Sequence, residues 1–177
     1  MSLSKAFLAA GAFLISASCT QEKEVSSNTI TGSSTAGAEQ EHSKISAANL
    51  AIGKTLYEQC AACHLENGAG VPGAFPSLNA NVTSMAADPE GRAYLVLLVK
   101  YGLQGRIETA DGTYNGVMTA IGNSWQDDEI AAVLNHTLVS FGGIGKERFS
   151  ADEVSKILQS ADKVAPHEIS ALRPVQD

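Results

Sequence analysis

Five consecutive residues, Cys60-Ala-Ala-Cys63-His64, constrain this chain more than any other feature of its sequence. Two thiols one helical turn apart can each form a thioether with a vinyl group of haem, and the histidine after them is then carried beneath the iron. A thioredoxin-like redox pair would need a βαβ setting, which the sequence does not indicate. A structural zinc site would need a second pair of ligands, and no cysteine follows Cys63. The motif therefore predicts one covalently attached haem c.

The start of the chain predicts an export signal followed by a tether. Residues 1–19 contain Lys5 and then the ten-residue apolar run from Ala6 to Ile15, which is typical of a signal peptide. That run is too short to span a bilayer, which takes about 20 residues. Residues 20–45 are rich in Ser, Thr, Gly, Glu and Gln, so they cannot bury enough apolar surface to fold and are expected to form a flexible polar tether.

Cys19 is the one cysteine outside the haem motif. Small residues, Ala17 and Ser18, directly precede it, as in a lipoprotein signal, although Ser16 stands where an aliphatic residue is preferred. Lipidation would account for the unpaired thiol and would anchor the protein on the periplasmic side of a bacterial membrane. We expect this anchor, with soluble periplasmic export as the alternative.

Helical periodicity and capping signals predict an all-α domain over residues 46–145, with long loops at 65–85 and 103–123. The expected helices run from Ala47 to about Cys60, from Asp88 to Gly102, and from a possible capping box at Ser124-Trp-Gln-Asp127 to about Ser140. Turns are expected at Asp111-Gly112 and at Asn115-Gly116. Residues 146–177 are expected to form a C-terminal appendage with a short helix capped by Ser150.

These features resemble the class I cytochrome c family over roughly Leu50 to Phe141. The resemblance rests on the haem motif and on these further residues: Gly53, Tyr57, Gly68-Ala-Gly70, Phe75-Pro76-Ser-Leu78, Tyr114-Asn-Gly-Val-Met118 and Trp125-Gln-Asp-Asp-Glu-Ile-Ala-Ala-Val-Leu134. It implies a class I cytochrome c fold, in which the first and last helices cross closely at Gly53. It also implies that the carbonyl of Pro76 accepts a hydrogen bond from the ring of His64.

The second axial ligand of the iron is sought among the methionines. Met118 lies in a turn-rich region just before the last helix, where the family's ligand loop lies, whereas Met85 is more simply interpreted as loop packing. The family usually has proline after this methionine, and here Thr119 follows instead, so the loop is expected to be less rigid. Of the remaining histidines, His42 is expected to lie in the tether and His167 in the appendage. His136 is expected to lie within the last helix, at or near its surface, rather than to bind the iron.

A His/Met-ligated iron has no open coordination position and suits one-electron transfer rather than catalysis on a small-molecule substrate. The formal net charge is -7 without any Lys/Arg cluster, which argues against nucleic-acid binding. We therefore expect an electron carrier between redox proteins, with a dehydrogenase or cytochrome complex as donor and an oxidase or reductase as acceptor. The alternatives are a fixed electron-transfer subunit of a dehydrogenase or terminal oxidase complex, and a haem enzyme or gas sensor with an open sixth position.

Overall fold

The computed structural model describes residues 46–79, 81–142, 148–161 and 164–174, which belong to one compact unit. The predicted signal, tether and Cys19 lie outside these residues. The elements of the described part are α1 (Ala47–His64), α2 (Val82–Ala86), α3 (Pro89–Tyr101), β1 (Leu103–Thr109), β2 (Gly112–Met118), α4 (Asp127–Phe141), α5 (Ala151–Ser160) and α6 (Pro166–Ile169), with 3₁₀ turns at Ile121–Ser124 and Ser170–Leu172. No helix within these ranges is long and apolar enough to cross a membrane.

Helix α1 carries the haem motif on its last turn. Ser46 caps its start, since the Ser46 hydroxyl accepts a hydrogen bond from the Asn49 N–H at 3.1 Å. The helix continues to His64, one turn beyond the expected end. Both cysteines of the motif therefore lie on one rigid element, and the ring of His64 is held at its end.

The first and last helices of the domain cross at Gly53, as the resemblance implies. A β-carbon at Gly53 would collide with the backbone carbonyl of Ala132 in α4. The two backbones can approach this closely only because Gly53 has no side chain. The crossing fixes α1, and with it the haem motif, against the most buried helix of the domain.

The ends of α3 agree with the sequence, but the start of α4 does not. Asp88 caps α3, accepting from the Gly91 N–H at 2.8 Å, and Gly102 ends it with φ of 76°. The capping box expected at Ser124 is wrong, because residues 121–124 form a 3₁₀ turn and Trp125 is extended. The cap lies two residues later, where Glu129 accepts from the Gln126 N–H at 2.8 Å.

The loop expected over residues 103–123 is an antiparallel hairpin in its larger part. Leu103 pairs with Met118 at the open end, and Thr109 pairs with Gly112 at the tip. The turn expected at Asp111-Gly112 is at that tip, whereas Asn115-Gly116 lies inside β2 and makes no turn. The loop expected over residues 65–85 is confirmed up to the start of α2. The last residues of that range belong to α2.

The C-terminal segment packs on the helices of the domain. Ser150 caps α5, accepting from the Glu153 N–H at 3.1 Å. The Glu153 carboxylate binds Arg92 of α3, with Nε–Oε1 of 2.6 Å and Nη2–Oε2 of 2.7 Å. The buried side chain of Asn135 both donates to and accepts from the backbone of Phe149, at 2.9 Å each. These contacts join the expected appendage to α3 and α4.

Candidate haem site

A mostly apolar cavity of about 1360 Å³, its open mouth included, lies at the C-terminal end of α1. Its walls come from α1, the loop before α2, α2 itself, α3, the hairpin with the residues that follow it, α4 and the C-terminal segment. The apolar lining includes Tyr57, Leu78, Val82, Leu95, Leu98, Val133 and Leu134. Such a lining suits a large planar ring whose surface is largely apolar.

Cys60 and Cys63 both line this cavity, from the same side of α1. Cys60 is half-buried and Cys63 is exposed, and both are free thiols. Burial raises the pKa of the Cys60 thiol to about 11, so that thiol is protonated at neutral pH. Two unpaired thiols at one wall of the cavity are what two thioether bonds to a single haem require.

His64 enters the same cavity with its ring orientation fixed. The side chain is buried, with 8% of the residue exposed, and its Nδ1 lies 2.9 Å from the carbonyl oxygen of Pro76. Because a carbonyl can only accept, Nδ1 carries the proton and donates it, which leaves Nε2 with a free lone pair. Burial lowers the pKa of His64, with the Pro76 carbonyl acting in the opposite direction. The ring is thus a neutral imidazole prepared for a metal.

Both methionines considered as the second ligand line the cavity, but they are held differently. Met118 is half-buried at the end of β2, where the hairpin meets the cavity. Met85 is 1% exposed, lies on α2, and has its sulfur 3.6 Å from Nη1 of Arg173. Its backbone also packs against Gly91, where a β-carbon would collide with the Met85 carbonyl.

Two polar side chains that line the cavity are Tyr94, which the sequence suggested only as core and haem-pocket packing, and Arg173, which it did not indicate. Arg173, from the C-terminal segment, lines the cavity and donates from Nε to the Glu108 carbonyl at 2.7 Å. Burial raises the pKa of Tyr94, and the nearby Arg173 lowers it, yet no described group completes a good hydrogen bond to the buried Tyr94 hydroxyl. A cation beside a buried hydroxyl suits the two carboxylates that haem carries. No local pattern around Arg173 could have revealed this placement.

The two other histidines of the described residues, His136 and His167, take the positions that the sequence suggests. His136 is half-buried at the crossing of α1 and α4, with its ring centroid 5.4 Å from that of Tyr57 and 6.1 Å from that of Phe141. Burial and the charge of Lys54 lower its pKa. His167 is exposed on α6, and His42 lies outside the described residues. Neither His136 nor His167 lines the cavity.

The fold and the site together define a class I monohaem c-type cytochrome. The family model for Cytochrome c matches residues 50–138, half of the chain, and the chain belongs to the cytochrome c family. Haem c is therefore its cofactor, attached covalently through the motif that contains Cys60 and Cys63, and the protein transfers electrons by means of that haem.

Among characterised proteins, the chain is similar to cytochrome c-552 of Thermus thermophilus. The identity is 45% over 127 residues, which covers 70% of this chain and 95% of the relative. A second cytochrome c-552 sequence, from a particular strain of the same species, gives the same identity over 127 residues and is covered to 84%. These alignments are longer than the family match, so the similarity extends beyond residues 50–138.

Proposed function

We propose that this protein is an exported one-electron carrier whose haem iron is bound by His64 on one side and Met118 on the other. The observation that carries the proposal is that the cavity receives an oriented imidazole from α1 and a thioether from the end of the hairpin. When bound, the haem supplies reversible Fe(III)/Fe(II) chemistry, and an imidazole with a thioether favours a raised reduction potential.

His64 is suited to be the permanent ligand. The cysteines of the same helical turn fix the haem beside it, and the Pro76 carbonyl holds the ring in one tautomer at 2.9 Å. When the ring nitrogen that does not bind the metal donates a hydrogen bond, the imidazole becomes more basic and its orientation is fixed. This wall of the site therefore presents the imidazole in one fixed orientation.

Met118 is better suited than Met85 to be the second ligand. Met85 is fully buried on a helix, with its backbone locked against Gly91 and its sulfur beside a cation. Met118 lies where β2 ends, and the chain after it has no regular structure until the 3₁₀ turn at Ile121. A thioether at this place has the freedom to reach the metal, and the one on α2 does not.

The rest of the cavity excludes water from the ring and leaves one edge accessible. Aliphatic side chains of α3 and α4 line the interior, which keeps the environment of the iron dry. Phe75 and Val117 line the mouth and are 36% and 68% exposed. We propose that redox partner proteins meet the haem edge here, with a dehydrogenase or cytochrome complex as donor and an oxidase or reductase as acceptor.

The place of action that we propose is the outer face of a bacterial inner membrane. The apolar run at residues 6–15 and the small residues before Cys19 support export and lipid anchoring. Mass spectrometry of the mature N-terminus tests the anchor: diacylglyceryl on Cys19 supports it, and cleavage elsewhere with a free thiol contradicts it.

The ligand assignment is tested by spectra of two matched variants. Ferric wild-type protein should show the weak red sulfur-to-iron absorption band, and Met118→Ala should abolish it, lower the potential and open the ferrous iron to carbon monoxide. Met85→Ala, which removes the same side chain from α2, should keep the band. A band that survives Met118→Ala but disappears in Met85→Ala would assign the ligand to α2 instead.

A further inference from the structure

The carboxylate of Asp111, at the tip of the hairpin, first organises the hairpin itself. Its Oδ2 accepts a hydrogen bond from the Tyr114 hydroxyl at 2.7 Å. Its Oδ1 lies 2.7 Å from Oγ1 of Thr109. The same Thr109 hydroxyl oxygen lies 2.7 Å from the carbonyl oxygen of Gly112. Because a hydroxyl has one proton, Thr109 shares it between these two acceptors. The side chain of Asp111 thus connects residues of both strands.

The same carboxylate also reaches a different part of the chain, the loop before α2. Oδ2 accepts from the backbone N–H of Ser77 at 2.9 Å, and Oδ1 accepts from Nδ2 of Asn81 at 2.9 Å. Asn81, which is 5% exposed, completes the junction: it donates to the Ser77 carbonyl at 2.7 Å and accepts from the Ala110 N–H at 3.2 Å. Three hydrogen bonds therefore join the hairpin tip to this loop.

These contacts suit an ionised carboxylate. Partial desolvation raises the pKa of Asp111, but the hydrogen bonds from Ser77, Asn81, Thr109 and Tyr114 outweigh it and hold the pKa well below its usual range. An ionised carboxylate is an acceptor with room for four donors, and such charge-assisted hydrogen bonds are about twice as strong as neutral ones. An amide at this position could not accept from all four.

The junction lies between the supports of the two proposed iron ligands. Ser77 directly follows Pro76, whose carbonyl holds the His64 ring at 2.9 Å. Asp111 lies at the tip of the hairpin. Met118 lies at the other, open end, where it pairs with Leu103. Movement of the hairpin away from the loop would therefore displace the segment that carries Met118 relative to the segment that orients His64.

We propose that Asp111 is a positioning residue, which locks the hairpin carrying Met118 to the loop carrying Pro76 and so keeps the thioether on the iron. This proposal rests on the proposed ligation by His64 and Met118. Asp111 does not touch the iron ligands in the described structure; it acts through Ser77, Asn81 and the hairpin.

The test compares Asp111→Asn with Asp152→Asn in the full-length holoprotein. Both remove one carboxylate, but Asp152 is exposed in the first turn of α5, far along the chain from the junction. For Asp111→Asn we expect the sulfur-to-iron band to be lost at a pH about one unit lower on alkaline titration. That shift is a tenfold change in the ligation equilibrium, or about 1.4 kcal/mol. Carbon monoxide should bind the ferrous variant several-fold faster, and Asp152→Asn should match the wild type in both.

Two further measurements separate the possible outcomes. Amide hydrogen exchange at Ser77 and Ala110 reports on the junction without reference to the iron, and it should accelerate about tenfold in Asp111→Asn.

If the wild type lacks the band, the ligation proposal fails, while faster exchange still supports the junction. If Asp111→Asn does not fold, Tyr114→Phe, which removes one of the four donors, should give a smaller shift in the same direction. A variant that only lowers global stability, with unchanged band pH, carbon monoxide binding and exchange, would overturn the proposal.

Discussion

The two walls of the haem cavity are held by different kinds of contact. The wall that bears His64 is helix against helix: Gly53 of α1 meets the backbone of α4, and Tyr57 packs on Phe141 with ring centroids 4.9 Å apart. The wall that bears Met118 is a two-stranded hairpin, and isolated two-stranded hairpins are marginally stable in water. Hydrogen bonds from the Asp111 junction and from Arg173 attach it to the rest. One wall is fixed by the close approach of two helix backbones. The other combines the buried side chains of Leu103 and Tyr114 with these polar connections.

This difference indicates which wall yields first. Close packing leaves little room for a backbone to shift, so we expect the His64 side to be lost only when the fold is lost. Hydrogen bonds in partly exposed positions contribute about 1 kcal/mol each and open locally. The predictions below act on one wall or the other.

The largest effect is expected on the packed wall. Gly53→Val would drive a side chain into the Ala132 carbonyl, and neither backbone can move without separating α1 from α4, so we expect a loss of about 3 kcal/mol or more in unfolding free energy. Gly116→Ala is the comparison on the hairpin wall, where a β-carbon would meet no protein atom within 4 Å. Urea unfolding of both holoproteins should show at least a threefold difference in the loss, and equal losses would contradict the comparison.

The next effect concerns the attachment of the hairpin. Arg173→Ala removes the hydrogen bond to the Glu108 carbonyl at 2.7 Å and the one to Asn81 at 3.3 Å. Hydrogen bonds to charged groups contribute about 1.5–3 kcal/mol, and partial exposure places the expected loss of unfolding free energy near about 2 kcal/mol. Arg106→Ala is the control, because Arg106 lies on the same strand as Glu108 and forms an exposed ion pair with it. Its loss should lower the unfolding free energy by less than about 0.5 kcal/mol. A larger loss in the control would mean that charge, not attachment, matters.

A smaller effect is expected at the end of α1. The Tyr57 hydroxyl donates to the Leu65 carbonyl at 2.8 Å, and burial raises the pKa of Tyr57 to about 12. Tyr57→Phe removes that hydrogen bond while keeping the ring packed, so thermal unfolding should reveal a loss of about 1 kcal/mol. The band of Met118 should stay at its wild-type pH, because this wall does not carry the thioether. A shift in the band would show that the walls are coupled.

The smallest effect is expected from acid. Because the pKa of Asp111 is held well below its usual range by its donors, the ionised group stabilises the fold above the unfolded value of about 3.9. That contribution is lost progressively as the pH falls below this value. The difference in unfolding free energy between wild type and Asp111→Asn should therefore narrow between about pH 5 and pH 2. A difference that is constant over this interval would mean that Asp111 acts by shape alone.

The packed wall could be predicted from the sequence and the hairpin wall could not. The haem motif and the Asp88 cap are encoded in neighbouring residues. Gly53 indicated that another backbone crosses the first helix closely, and the resemblance implied that the last helix does so. The structure agrees with the cap and with the crossing. The hairpin was hidden because Gly105 and Gly116 interrupt the alternation that identifies a strand. The true cap of α4 was displaced because a 3₁₀ turn occupies Ile121–Ser124.

Arg173 and the Asp111 junction were missed for a different reason. Arg173 contacts Asn81 although the two residues are 92 positions apart in the sequence. Ser77 contacts Asp111 although α2 and α3 lie between them in the sequence. Contacts between distant residues leave no periodicity or spacing in a single sequence. The turn signal at Asp111-Gly112 indicated the position of the tip but not its partner.

The crossing of α1 and α4 also bears on the order of folding events. Gly53 and Ala132 are far apart in the sequence of the domain. Their contact therefore closes a long loop of chain, and the entropy cost of loop closure grows with loop length. The hairpin closes over two residues and forms within about 1–10 μs. Rates of folding fall as contacts become more distant along the chain. We therefore expect the close crossing that fixes the packed wall to form after the hairpin.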